Sequence, residues 1–269
     1  MTDYVWLNGN IQPLNDTSIH PRDRGFLLGD GLFETMRIKN RHIPKFSDHI
    51  ERLLHGCRIL MLPPPRIHIL EKAISDLISL NHIHNGSLRL TLSRGCGPRG
   101  ITPPTASSPT VFIQVFPQSA QSKLIERLCI NSQYKRDALS PLTAVKSLNY
   151  LPFILAKMKA QQDGFDDAIL LNHNNSIADS TSANILYLMN NNLYTPPLKD
   201  GALPGISRKS LIQNNACVER SICPAEISNI TSIWLISALS IREISHVGKY
   251  CLEVNKDKTI DISTLLFNE

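Results

Sequence analysis

Lys146 stands in Ala144-Val-Lys-Ser-Leu-Asn-Tyr150, just ahead of a segment with helical spacing. A lysine acts as nucleophile or base only after losing its proton, which desolvation beside other cations favours. Most lysines are solvated surface residues instead, so this one alone decides nothing. Arg52 follows His49 by three residues on a predicted helix; its fork suits a phosphate, although alone it reads as a surface residue. Asp179 lies in Ile177-Ala-Asp-Ser-Thr-Ser-Ala-Asn184, whose plain reading is a polar strand end. Gly205-Ile206-Ser207-Arg208 looks like a loop running into a helix start. Free N–H groups and a hydroxyl there suit a phosphate, yet many helices begin this way without a ligand. Gly95-Cys-Gly-Pro-Arg-Gly100 spells a dinucleotide fingerprint after a predicted strand. That chemistry needs a helix to start at the loop, and Pro103-Pro104 forbid one, so the nucleotide reading is rejected. A hairpin loop is the simple alternative, but Arg94 and Arg99 in a glycine-rich loop also suit an anion.

These residues need elements to carry them. Asn8-Gly9 predicts a hairpin over 3–14. A strand is expected at 32–38, a helix at 46–62 with Ser47 as N-cap and Pro63-Pro64-Pro65 as its stop, and a second helix at 67–80. Strands follow at 87–93 and 111–116 around the loop 94–110. The polar segment 117–122 breaks both periods. The second half offers a strand at 124–132, a helix at about 148–163, strands at 167–171 and 183–188 flanking the turn 173–175, a helix from Ser207, and strands at 232–237 and 246–254. The division expected is an N-terminal domain at 1–118, a linker at 119–122, and a C-terminal domain at 123–269 carrying Lys146.

The 269 residues, 42% hydrophobic and 19% charged, fit an ordinary globular protein with one large or two small cores. The net charge of +5 is spread along the chain, which suits small anions rather than nucleic acid. No apolar run approaches a membrane span, and the N-terminus does not read as a signal peptide. Six scattered cysteines without a CxxC pair suit reduced thiols in a cytoplasmic protein. The nine histidines lack ligand spacing, so no metal is expected.

In this order the motifs resemble the fold-type IV pyridoxal-phosphate enzymes: branched-chain aminotransferases, D-amino-acid aminotransferases and 4-amino-4-deoxychorismate lyases. The resemblance rests on Asp23-Arg-Gly25 with Gly29-Asp-Gly31, His49-x-x-Arg52-Leu53, Lys146-x-x-Asn149, Asn184 and Gly205-Ile-Ser-Arg208. It implies an α+β chain of two domains, a smaller N-terminal α/β sandwich and a larger C-terminal pseudo-barrel, with the cofactor in the cleft between them. It implies pyridoxal 5'-phosphate as cofactor, bound to Lys146 as a Schiff base. Arg52 would hold the phosphate with backbone at Ile206, Ser207 and Ala238, and Tyr150 would join the cofactor set. Asp179 would face the pyridine nitrogen, where the family usually has Glu. The chemistry agrees, because the ring is an electron sink only while that nitrogen is protonated.

Residues 94–104 resemble the RGxGxRGYxP loop of the aminodeoxychorismate lyases, with Ile101 in place of the usual tyrosine. The resemblance then implies a lyase releasing 4-aminobenzoate and pyruvate in folate biosynthesis. Lys146 and Thr35 would be catalytic, and Arg99 and Arg37 would bind substrate carboxylates. An aminotransferase acting on branched-chain or D-amino acids is the alternative, and a non-enzymatic cofactor carrier is disfavoured by Lys146, Arg52 and Asp179 together. Such enzymes are usually homodimers, which implies that the 94–104 loop reaches the partner's site.

Overall fold

The computed structural model describes residues 3–118 and 125–267. The segment expected as a linker, 119–122, lies outside the described residues. Contacts divide the chain into a first unit, Met1–Ala120 with Val145–Asn149, and a second, Gln121–Ala144 with Tyr150–Glu269.

In the first unit, β1 (Tyr4–Leu7) and β2 (Asn10–Pro13) form the expected hairpin. Asn8 and Gly9 both take positive φ, 49° and 106°, as its two-residue turn demands. A short helix α1 (Arg24–Leu28) leads into β3 (Gly31–Ile38). Helices α2 (Phe46–Ile59) and α3 (Ile67–Leu80) precede β4 (Gly86–Ser93) and β5 (Thr110–Pro117). The sheet order is β2-β1-β5-β4-β3, every pair antiparallel. Met36, Ile38, Leu88, Leu90 and Leu92 alternate onto one face, where Ile50 and Leu53 of α2 and Leu70 and Leu77 of α3 cover them. The N-cap of α2 is Lys45 at φ 56°, not Ser47, so the helix starts one residue before the residue expected to cap it.

In the second unit, β6 (Ile125–Arg136), α4 (Leu151–Gln162) and β7 (Asp167–Asn172) come first. Then follow β8 (Ile177–Ser180), β9 (Asn184–Met189), β10 (Asn192–Thr195), α5 (Ile206–Gln213) and β11 (Val218–Glu219). The unit ends with β12 (Ser232–Ile236), β13 (Ile241–Val247), β14 (Tyr250–Cys251) and α6 (Lys256–Phe267). One mixed nine-stranded sheet runs β11-β10-β9-β12-β13-β6-β7-β8, with β14 on β13, the half-barrel expected of the larger C-terminal domain. Strands β9 and β12 are buried on both faces. Ile185, Tyr187, Ile233 and Leu235 fill one core. Leu186, Leu188, Trp234 and Ile236 fill another under α5 and α6. Such strands read as continuous apolar runs rather than alternations. The strand expected at 246–254 is instead β13, which begins at Ile241, and β14, joined through Gly248 at φ 55°.

The contacts depart from the sequence-based division at the lysine. Val145 is buried in the first unit's core. The residues after it lie along β3, with Phe33 N donating to Lys146 O at 3.0 Å and Leu148 N to Gly31 O at 3.0 Å. Lys146 therefore belongs to the first unit, not to the C-terminal domain, and α4 starts at Leu151 rather than near 148 because these residues are extended.

Candidate active site

Strand alternation sorts the residues of β3 onto two faces. Phe33, Thr35 and Arg37 share one, opposite Thr91, Arg89 and Ser87 of β4. The Lys146 amine lies 4.4 Å from the centre of the Phe33 ring, and the Arg89 guanidinium carbon 3.9 Å from it. The sequence singled out Lys146, Thr35 and Arg37; the structure brings them to one face. Burial holds the Arg37 guanidinium below its ordinary range. Arg89 was missed, because an arginine in a regular alternating strand carries no motif.

Glu34 faces the other way, toward α2, where it is buried. Arg52 grips it with both arms of its fork: Nε to Oε1 at 2.8 Å and Nη2 to Oε2 at 2.6 Å. His49 Nδ1 lies 2.8 Å from Oε2. His49 and Arg52 sit on one face of α2 because they are three residues apart. Burial alone would raise the Glu34 carboxyl, but the Arg52 charge and hydrogen bonds, with those of His49, pull it down to about 2. Arg52 is thus fixed by a charged acceptor on the strand that also presents Thr35.

In the second unit Asp179 is buried on β8. Asn184 Nδ2 donates to its Oδ1 at 2.8 Å and Leu203 N to its Oδ2 at 2.7 Å. Burial pushes this carboxyl up to about 6, against the opposing pull of Arg136 and these two donors. Arg136, at the end of β6, is held by Gly201 O at 2.8 Å and Thr143 O at 2.9 Å. Burial lowers it, while Asp179 and then Tyr150 oppose that. Tyr150 packs on Phe153 at 4.9 Å, and Arg136 faces the same Phe153 ring at 5.2 Å. Arg136 is the second residue that sequence reasoning missed; it follows the polar run Asn131-Ser-Gln-Tyr-Lys135, so nothing in the sequence set it apart.

The start of α5 is built for close approach. Gly205 is its N-cap and offers no side chain to the first-turn N–H groups of Ile206 and Ser207. A Cβ on Gly205 would come within 1.8 Å of Asn184 Oδ1. Ser207 Oγ donates to Ser237 O at 2.8 Å, tying the helix start to the turn that contains Ala238. Arg208, the last residue of this motif, is engaged elsewhere, donating to Pro196 O and to Glu219.

Arg99 and Ile101 are exposed on the loop between β4 and β5, Ile101 at 85%. A groove of about 400 Å³ beside α3, lined by Arg41, His42, Phe46 and Glu71 among others, shares no residue with any of these groups. Among the described residues no cluster of His, Cys, Asp and Glu is arranged to hold a metal ion, and no helix is long and apolar enough to cross a membrane.

Residues 31–247 match the family model for amino-transferase class IV. A Methanocaldococcus jannaschii protein provisionally named a branched-chain-amino-acid aminotransferase is 31% identical over 213 residues, 78% of this chain and 73% of its own. The solved structure of the Escherichia coli branched-chain amino acid aminotransferase superposes with a TM-score of 0.88 at 24% identity, covering 97% of this chain and 93% of that one; this is a likeness of fold. The structure of a Legionella pneumophila protein provisionally named a 4-amino-4-deoxychorismate lyase superposes with a TM-score of 0.84 at 32% identity, covering 94% of this chain and 95% of that one.

Proposed function

We propose that this chain, which belongs to the class IV amino-transferase family, is a lyase that converts 4-amino-4-deoxychorismate to 4-aminobenzoate and pyruvate. The family works with pyridoxal 5'-phosphate. The residues present suit that group. A buried carboxyl pushed up to about 6 is stabilised by a cation such as a protonated ring nitrogen. The uncapped start of α5 and the positive charge of Arg52, held in place by Glu34, suit a dianionic phosphate. In this reading Lys146 binds the aldehyde carbon, and Arg52 with Ile206, Ser207 and Ala238 holds the phosphate. Asp179 faces the ring nitrogen, backed by Arg136, and Tyr150 flanks the ring.

Once bound, the cofactor supplies a sink for the electron pair left when a proton is lost beside the substrate amine. Lys146 takes that proton from the carbon bearing nitrogen. The carbon–oxygen bond of the enolpyruvyl ether then breaks, the ring becomes aromatic, and the departing enol gains a proton to become pyruvate. In this reading Thr35, on the face of β3 that carries Phe33, delivers that proton or relays it from Lys146. Arg99, with Arg37, binds the substrate carboxylates. The observation that carries the lyase reading is the Thr35 hydroxyl on the face of β3 whose Phe33 meets the Lys146 amine, because transamination has no leaving group to protonate. The Legionella relative, matching nearly end to end, supports it too.

The aminotransferase reading is favoured by the name of the archaeal relative. The two share the first proton transfer and differ afterwards, so one assay separates them. With aminodeoxychorismate alone the holoenzyme should release 4-aminobenzoate and pyruvate in equal amounts over many turnovers. Turnover of branched-chain or D-amino acids that requires an oxo acid, with no aromatic product, would establish the aminotransferase instead.

We also propose that the working form is a homodimer in which the 94–104 loop reaches the partner's site. What supports it is the loop itself, whose Ile101 is 85% exposed in the single chain.

A further inference from the structure

The loop that carries Arg99 has no regular structure across residues 94–109, yet its backbone is held from beneath by one buried side chain. Arg24, at the start of α1, is 4% exposed. Its Nη1 donates to Gly100 O at 3.2 Å and to Thr102 O at 3.3 Å, and its Nη2 to Ile101 O at 2.7 Å. Its Nε donates to Asp30 Oδ2 at 2.8 Å. Asp30 is gripped from the other side by Arg94, through Nε at 2.8 Å and Nη2 at 3.0 Å. Arg94 also donates to Leu60 O and Met61 O, at 2.7 and 2.9 Å. Burial would raise the Asp30 carboxyl, but the bonds from Arg94 and Arg24 hold it below its usual range.

Three successive carbonyls would not converge unaided, because their dipoles repel one another. A guanidinium supplies fixed planar donors for all three, which an ammonium does not match. With its carbonyls turned inward, the loop presents the Arg99 and Ile101 side chains outward. The glycines fit this arrangement rather than a nucleotide: a Cβ on Gly97 would lie 2.8 Å from Arg24 Cδ, and one on Gly95 would lie 1.9 Å from Ser108 O.

We infer that Arg24 is a positioning residue for substrate selection: its hold on carbonyls 100–102 sets where Arg99 meets the substrate carboxylate. This rests on the proposed role of Arg99. The test uses the holoenzyme with aminodeoxychorismate and the variants Arg24→Lys, Arg99→Ala and their combination. Arg24→Lys should raise KM about tenfold or more while kcat changes little, because misplacing a binding group by an ångström costs that much. The absorbance of the bound cofactor and its affinity should be unchanged. Combined with Arg99→Ala it should add almost nothing, since a residue acting through Arg99 has no effect once Arg99 is gone. Trypsin should cut the Arg99–Gly100 bond about tenfold faster in Arg24→Lys, because the loop opens locally. Should Arg24→Lys fold poorly, Gly97→Ala pushes the Arg24 stem aside with the charge kept and should give the same KM and trypsin results. Unchanged KM and unchanged cleavage in Arg24→Lys, with KM raised in Arg99→Ala, would overturn the inference alone. So would multiplicative effects in the double variant. An Arg99→Ala enzyme with normal KM would overturn the role of Arg99 and this inference with it.

Discussion

Replacing Asp179 by Asn tests the electrostatics of the second unit at a single carboxyl. A group lifted from 3.8 to about 6 disfavours its own ionisation in the folded chain. At 1.36 kcal/mol for each pKa unit, the folded apoprotein gives up roughly 3 kcal/mol at neutral pH. The folded state binds the proton more tightly than the unfolded chain. This contribution is therefore complete below about pH 3.8, is lost as pH rises toward 6, and is flat above. Asn removes the titration but brings a mismatch. Asn184 Nδ2 and Leu203 N donate to different oxygens of Asp179, and an amide has only one oxygen to offer. The unmatched donor costs about 1–3 kcal/mol. The two effects nearly cancel at neutral pH, so stability at one pH is uninformative and its pH dependence decides. In urea unfolding of the apoproteins, the variant should be the less stable at pH 4. The difference should move by roughly 3 kcal/mol in its favour by pH 8. Saturating pyridoxal phosphate should abolish most of that movement, because a cation facing Asp179 favours the carboxylate. The variant should also retain cofactor but turn over slowly, while Asp179→Glu keeps much of the activity. A difference independent of pH in the apoproteins would refute the burial argument, and one indifferent to the cofactor would remove Asp179 from the ring nitrogen.

Two further outcomes bear on the site. Borohydride should bleach the yellow holoenzyme and fix the cofactor on Lys146 in peptide maps; an adduct on another lysine would refute the central assignment. Lys146→Ala protein, and Arg99→Ala protein at substrate far below its raised KM, should each be nearly inactive yet regain partial activity when refolded together, and no recovery in a preparation shown to contain heterodimers would rule out a loop acting across subunits.

Much of the first unit was legible because its elements obey simple periods. Leu88, Leu90 and Leu92 alternate, Ile50, Leu53 and Cys57 recur at helical spacing, and Asn8-Gly9 marks the hairpin. The second unit was harder. Strands buried on both faces, such as β9 and β12, have no alternation to detect, and β10, with four residues, is too short to show one. Helix α6 was missed because no proline or glycine sets it off and its buried contacts are few, mainly Ile262 and Leu266. The helix after the lysine was expected from about 148, whereas pairing of Leu148 to β3 keeps the chain extended and delays α4 to Leu151. Of the candidate site, the motif residues were legible. Those that hold them were not: Glu34, Arg136 and Arg24 show their purpose only through partners 18, 43 and 76–78 residues away, distances that no local pattern encodes.

Glu34 shows how closely the parts of the first unit depend on one another. On β3 the residue before it, Phe33, contacts the lysine amine, and the residue after it, Thr35, shares that face. Glu34 itself points to the opposite face and holds Arg52. A one-residue slip in the β3–β4 register would move every one of these side chains to the wrong side at once. The register is secured by Leu32, Met36 and Ile38, which have nowhere to go but the core under α2 and α3. Hydrophobic burial thus sets the register, the register places Glu34 under α2, and a buried carboxylate cannot remain there without Arg52. The same apolar contacts that stabilise the sheet therefore fix the position of the guanidinium proposed to take the phosphate and of the hydroxyl proposed to serve the reaction. Substitutions in the β3 core should accordingly weaken cofactor retention along with stability, although none of those residues need touch the cofactor.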